Sequence, residues 1–313
     1  EHQVDVKMEF RAGSEIGDDH LFMAEVTAPI ERLVRYYGED GRGAHLPFNF
    51  QLIGQAWEAR QVHATIERYE AALPPYSWPN WVLGNHDQPR VAARLGEAQA
   101  RVAAMLLLTL RGTPTLYYGD EIGMGDNIYL GDRDGVRTPM QWSQDLNAGF
   151  SRANPQQLFL PVIMDPIYGF EALNVEAQAR EPSSLMNWTK RMLGVRNATQ
   201  AFGRGRFTML HPGNRKVLAY VREYGEDVIL CVFNVSRVAQ PVELALEAHK
   251  GRVPVEMMGR SPFPPIGDLP YMLTLPAYGF FWFRLATDAA PPRWHEERLA
   301  LDDLPVLVLF DDW

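Results

Sequence analysis

From Leu21 to Tyr118 short apolar runs alternate with longer amphipathic segments. Leu21 to Val26 is almost wholly apolar, which predicts a strand buried on both faces with Glu25 at its C-terminal tip. Pro29 to Tyr37 has helix character, with Pro29 suited to an early position and Arg32 and Arg35 to the outer side. A Gly-rich turn from Gly38 to Gly43 leads to a second strand at His45 to Phe50. The next helix is expected from Gln55 to Ala72, because Trp57, Val62, Ile66 and Tyr69 share a face, and Pro74-Pro75 ends it. A strand at Trp81 to Gly84, a helix at Ala98 to Arg111 and a strand at Thr115 to Tyr118 continue the alternation. Apolar strands separated by helices predict a parallel sheet covered on both faces. Residues 1–19 fit the second half of an amphipathic helix, broken at Gly17-Asp18-Asp19.

The pattern then lapses. Residues 125–180 are rich in Asp, Asn, Gly and Pro, and a loop of that length inside a compact domain is usually functional or carries small elements. Ser183 or Ser184 is placed to cap a helix running to about Asn197, with Trp188, Met192 and Val195 inward. After Gly203 short alternating runs take over: Val217 to Val221, Val228 to Val232, Val242 to Leu246, Tyr271 to Leu275 and Gly279 to Phe283. Their spacing predicts a small antiparallel β-sandwich. The expected division is therefore 1–201, 202–287 and 288–313, the last holding a linker at Ala289 to Pro292 and a strand-like apolar run at Leu304 to Phe310 that suggests the start of a following domain.

Composition narrows the partners. A net charge of −9 argues against nucleic acid or an anionic membrane surface, since both need a basic patch. No apolar run approaches the roughly 20 residues of a membrane helix. The single Cys231 excludes an intrachain disulfide, which suits a cytoplasmic location, and its setting in Val-Ile-Leu-Cys-Val-Phe is that of an inert core residue. Eight Trp and twelve Tyr leave room for stacking on a sugar face.

Glu25, His86 and Asp87 are the candidates for chemistry, each just past a predicted parallel strand. In a barrel of alternating strands and helices that end carries the active site. Two carboxylates across a barrel mouth suit glycosidic-bond chemistry, one donating a proton to the leaving oxygen and the other stabilising the developing cation. Asp120 and Glu121 also follow a strand, but Gly-flanked acids at a rim more often hold a loop. Asp126, Asp132 and Asp134 with Asn127 resemble part of a calcium loop without its spacing or closing Glu, so no cofactor is expected beyond a possible structural calcium ion.

Three segments carry a resemblance: Met23-Ala24-Glu25-Val26, Gly84-Asn85-His86-Asp87-Gln88-Pro89-Arg90, and Tyr117-Tyr118-Gly119-Asp120-Glu121-Ile122-Gly123-Met124. They are similar to the later motifs of the α-amylase superfamily, glycoside hydrolase family 13. The resemblance implies a (β/α)8 TIM barrel, of which this chain holds the C-terminal half, followed by the β-sandwich. It implies that Glu25 is the general acid/base, that Asp87 helps distort the glucosyl ring, and that His86 and Arg90 contact substrate. Residues 20–124 resemble bacterial α-glucosidases, chiefly through His45 to Phe50 and Gln88-Pro89-Arg90. From Gly125 onward, Leu160 to Asp165, Asn174 to Gln178 and Gly213 to Val217 resemble the trehalose synthase branch, and Leu307 to Trp313 resembles the join to a fused maltokinase.

The family's nucleophilic aspartate, with an Arg two residues before it, has no good counterpart. Asp5 has Gln3 in place of that Arg and sits too close to the strand at Leu21. A complete barrel takes about 250 residues and eight strands. The expectation is a C-terminal part of a retaining enzyme that isomerises maltose to trehalose and is inactive alone. An exo-acting α-glucosidase and a non-catalytic carbohydrate-binding remnant are the alternatives.

Overall fold

The structure is a computed structural model that describes residues 21–292. The expected N-terminal helix with Asp5 and the apolar run at Leu304 to Phe310 lie outside the described residues. Four strands, β1 (Met23–Ala24), β2 (Leu46–Asn49), β3 (Asn80–Val82) and β4 (Thr113–Thr115), form a parallel sheet in chain order. Between them run α1 (Ile30–Leu33), which tightens into a 3-10 turn to Tyr37, then α2 (Ala59–Ala72), α3 (Val91–Leu95) and α4 (Glu97–Thr109). Each crossover carries helix, as parallel pairing demands. These four strands are the expected part of a barrel wall.

Three local expectations need correction. The first strand is not buried on both faces: Ala24 is enclosed, but Leu21 and Met23 are 63% and 59% exposed. Side chains alternate along a strand, and the face shared by Leu21, Met23 and Glu25 is left largely exposed. The fourth strand begins and ends earlier than the apolar pattern suggests. The Thr113 amide already bonds the Pro79 carbonyl at 2.8 Å, and Tyr117 and Tyr118 fall beyond the strand. Helix α2 starts at Ala59 rather than Gln55, because Glu58 keeps extended backbone at φ −117° and ψ 137°.

Two more helices, α5 (Val175–Arg180) and α6 (Leu185–Asn197), close the long segment after β4, and α7 (Ala201–Arg204) leads out of it. Ser184 is the residue that caps α6, its hydroxyl accepting from the Asn187 amide at 3.2 Å, which satisfies one of the free donors of a first turn. Residues 125–180 are not a bare loop. Met140 and Ile163 pack with Ile122, Met124 and Met186 into a small apolar core of their own.

Beyond α7 come β5 (Arg206–Leu210), β6 (Val217–Tyr224), β7 (Asp227–Asn234), β8 (Gln240–Leu244), β9 (Val253–Glu256), β10 (Tyr271–Leu275) and β11 (Phe280–Ala286). One sheet has the order β5-β6-β7-β11-β9, the other pairs β10 with β8, and all their pairings are antiparallel. The apolar pattern does not single out β5 and β9, which form the two edges of the larger sheet and are only partly buried. In β6, Val217, Ala219 and Val221 face the second sheet, whereas Leu218 and Tyr220 join the core that includes α2, α4 and α6. The same split runs through β7, with Leu230 and Val232 on one side and Ile229, Cys231 and Phe233 on the other. That is why these runs are continuously apolar: the sheet is buried twice over.

The junction is sealed by two buried arginines. The last carbonyls of a helix lack intrahelical donors. Here the Arg196 guanidinium donates to the carbonyls of Leu108, Leu110 and Gly112, and that of Arg222 donates to Thr109 at 2.7 Å and to Gly205 at 2.8 Å. Burial, with Arg222 beside it, pulls Arg196 down to about 10.

Candidate active site

Parallel strands deliver their side chains to one end, and three of the four expected site residues meet there. Glu25 follows β1, and His86 and Asp87 follow β3. His86 Nε2 stands 3.9 Å from Glu25 Oε1 and 3.5 Å from Asp87 Oδ1. The Asn85 side chain steadies both arms: its amide donates to Glu25 Oε1 at 3.4 Å, and its carbonyl accepts from the Asp87 backbone at 3.0 Å. Glu25 and His86 are about half exposed, so the group opens to solvent.

Two residues that the sequence reading did not single out complete the group. Arg133 Nη1 donates to Asp87 Oδ1 at 2.8 Å and Arg137 Nη2 to the same oxygen at 2.7 Å, while Arg137 Nε donates to the His86 carbonyl at 2.8 Å. Desolvation pushes the Asp87 carboxyl upward, but the bonds from Arg133 and Arg137 and the nearby His86 outweigh it and hold the group below its ordinary range. Asp87 is thus anionic at neutral pH. Every one of these contacts is made by Oδ1, and no hydrogen bond among the described residues engages Oδ2. A carboxylate oxygen fixed in place with free lone pairs can accept from a sugar hydroxyl.

Arg90, the fourth expected residue, stands apart from the other three. It is fully buried, so it does not face the opening as a substrate contact would. Its guanidinium lies over the rings of Tyr118 and Tyr117, 4.4 and 4.8 Å from their centroids, and donates to the carbonyls of Tyr118 and Val136. Its backbone amide donates to Asp126 Oδ1 at 2.9 Å. Arg90 therefore ties the loop after β3 to the loop after β4 and to the segment carrying Arg133 and Arg137. Gly119 sits at φ +87° beside it, where an added Cβ would lie 3.0 Å from Nη1, so a larger residue would displace the clamp.

Asp120 and Glu121 follow β4 without joining the cluster. Asp120 is half-buried, with Oδ1 sealed from water and unbonded. Desolvation raises its carboxyl to about 7, although Arg90 pulls the other way. Asp126, Asp132 and Asp134 do not converge: Asp126 accepts from Arg90, and Asp132 faces Arg133 at 3.5 Å. Next to Arg137 a cavity of about 500 Å³ is lined by Tyr118, Glu121, Trp142, Phe150 and Phe159. Trp142, Phe150 and Phe159 are themselves half or more exposed, an unusual presentation of large apolar rings.

Comparison with known proteins agrees with this architecture. The profile of the α-amylase catalytic domain matches residues 2–205, and that of the maltogenic amylase C-terminal domain matches residues 207–282. Trehalose synthase from Pimelobacter sp. is 43% identical over 85% of this chain and 55% of its own length. The trehalose synthase/amylase TreS of Mycobacterium tuberculosis is 43% identical over 89% of this chain and 54% of its own. The chain thus spans about half the length of these curated relatives. Among solved structures, isomaltulose synthase from a Klebsiella species shares the fold, with a TM-score of 0.69 at 23% identity over 85% of this chain and 55% of that one. With its catalytic-domain match covering well over half of its residues, the chain belongs to the α-amylase family.

Proposed function

We propose that this chain supplies the acid/base side of a retaining, maltose-isomerising active site of the trehalose synthase kind. The observation that carries the reading is the convergence of Glu25, His86 and Asp87 at the C-terminal ends of parallel strands. Glu25, in its protonated form, gives its proton to the glycosidic oxygen as the bond to the anomeric carbon breaks. An aspartate from outside the described residues forms the glycosyl ester. Glu25, now a carboxylate, removes the proton from the hydroxyl of the released glucose that attacks the anomeric carbon, and the ester breaks. Asp87 and His86 hold the ring being transferred. Arg133 and Arg137 keep Asp87 ionised and placed, and Arg90 holds the loop that bears them.

Isomerisation rather than hydrolysis requires that the released glucose turn over inside a site closed to water. The segment 125–180, with its own core and its aromatic cavity beside Arg137, is suited to that enclosure. The resemblance of Gln88-Pro89-Arg90 to α-glucosidases supports the second reading, hydrolysis of maltose. Co-expression of this chain with the N-terminal barrel half of the Pimelobacter trehalose synthase, followed by product analysis on maltose, separates the two. Trehalose is the expected product; glucose alone would establish the α-glucosidase reading instead.

A further inference from the structure

Away from Glu25, His86 and Asp87, helix α2 and strand β5 bring together a second set of residues able to ligate a metal ion. His63 and Glu67 are one turn apart on α2 and so share a face, while His211 directly follows β5. His63 Nδ1 lies 3.3 Å from Glu67 Oε2, and His211 Nε2 lies 3.3 Å from Glu67 Oε1. The two imidazole rings meet edge-on with centroids 4.7 Å apart. One donor atom from each residue falls within 4.8 Å of the others. A tetrahedral zinc site with bonds of about 2.0–2.1 Å places its ligand atoms about 3.3 Å apart, so little movement would seat an ion.

An ion chain of imidazole, carboxylate and imidazole is the simplest alternative, and it uses the same Glu67-facing nitrogen of His63 and the same Glu67 oxygens that a bound ion would take, so only a titration separates the two. His211 is two-thirds exposed, leaving the cluster open to water on one side.

We propose that His63, Glu67 and His211 bind a divalent transition ion of the zinc class, with water as fourth ligand. Two imidazoles and one carboxylate are a donor set that zinc accepts. The ion would link the barrel half, through α2, to the β-domain, through β5. Binding to the folded chain alone would also stabilise it in proportion to ion concentration.

The test uses the full chain without a histidine tag, stripped with chelator and titrated with Co2+ as a spectroscopic stand-in, then with Zn2+ in competition. Glu25, His86 and Asp87 form a second cluster within ligand reach of one another, so His86→Ala serves as the control. One equivalent of Co2+ with the intense visible absorption of a four-coordinate site is expected, displaced by Zn2+ and kept in His86→Ala. His211→Ala and Glu67→Gln should each weaken binding by at least about tenfold, the smallest loss seen even for residues that only support a metal ligand. Both positions are solvent-accessible, and circular dichroism in chelator checks that the variants keep the fold. No such absorption in the unchanged chain, Co2+ affinity in either variant equal to that of the unchanged chain, or loss of the absorption in His86→Ala would overturn the proposal.

Discussion

The barrel half and the β-domain bury their strands differently. In the β-domain β6 and β7 pair over eight residues each, and both faces of their sheet are covered, one by β8 and β10 and the other by the helices of the barrel half. In the barrel half β1 pairs over only two residues, and Leu21 and Met23 remain largely exposed. The candidate chemistry sits entirely on the less buried side. A charged group inside the doubly covered sheet, Arg222, is taken up by the carbonyls of Thr109 and Gly205, whereas Glu25 and Asp87 keep part of their side chains open to solvent. The β-domain packs against the helices of the barrel half, and the short parallel strands carry the candidate site residues.

That contrast can be broken by substitution. The largest change in stability is expected for Trp282→Ala, which empties a fully buried site between β11 and α7, where the ring packs 5.2 Å from Phe202. A loss of about 3–5 kcal/mol in urea unfolding is expected. Arg222→Met should cost about 2 kcal/mol in the same measurement, because it leaves the carbonyls of Thr109 and Gly205 without donors. If Arg222→Met were neutral, the arginine seal at the junction would have no energetic meaning.

Asp120 offers a subtler probe of the barrel half. Its carboxyl is raised to about 7 in the folded chain from an ordinary value of 3.8, so the folded state holds a proton that the unfolded state has lost. Stability should therefore fall as pH rises from about 4 to 7, by up to about 1.4 kcal/mol per pH unit, and level off above that. Asp120→Asn should remove this slope, which thermal unfolding across that range would show. At the small end, Met23→Lys on the exposed face of β1 should change stability by no more than about 0.5 kcal/mol, against the kilocalories lost at Trp282. A large loss there would mean that β1 is covered after all.

Much of this arrangement was legible in the sequence, for reasons that can be named. The alternation of apolar runs with amphipathic segments placed the four parallel strands and their helices, and the carboxylates at the strand tips pointed to the mouth. The apolar run Tyr271 to Leu275 coincides with β10, although its apolar Met272 turns out exposed. Less legible was anything decided by contacts distant in sequence. An arginine after Asp87 reads as a substrate contact until its guanidinium is seen to lie over the rings of Tyr117 and Tyr118, some 30 residues on. Arg133 and Arg137 lie in a segment with no periodicity, and only the folded loop brings them to Asp87 Oδ1. Of the edge strands, β5 has too little buried face and β9 is too short to leave an apolar pattern.

The central claim is that Glu25 transfers the proton at this site. Its most direct test is the rate of maltose conversion by the chain reconstituted with a trehalose synthase N-terminal half, comparing Glu25→Gln with the unchanged sequence. Glutamine keeps the shape and the Asn85 contact but can neither give up nor take the proton. The account predicts a fall in kcat of about 10²–10⁴. A variant that makes trehalose at the original rate would contradict it.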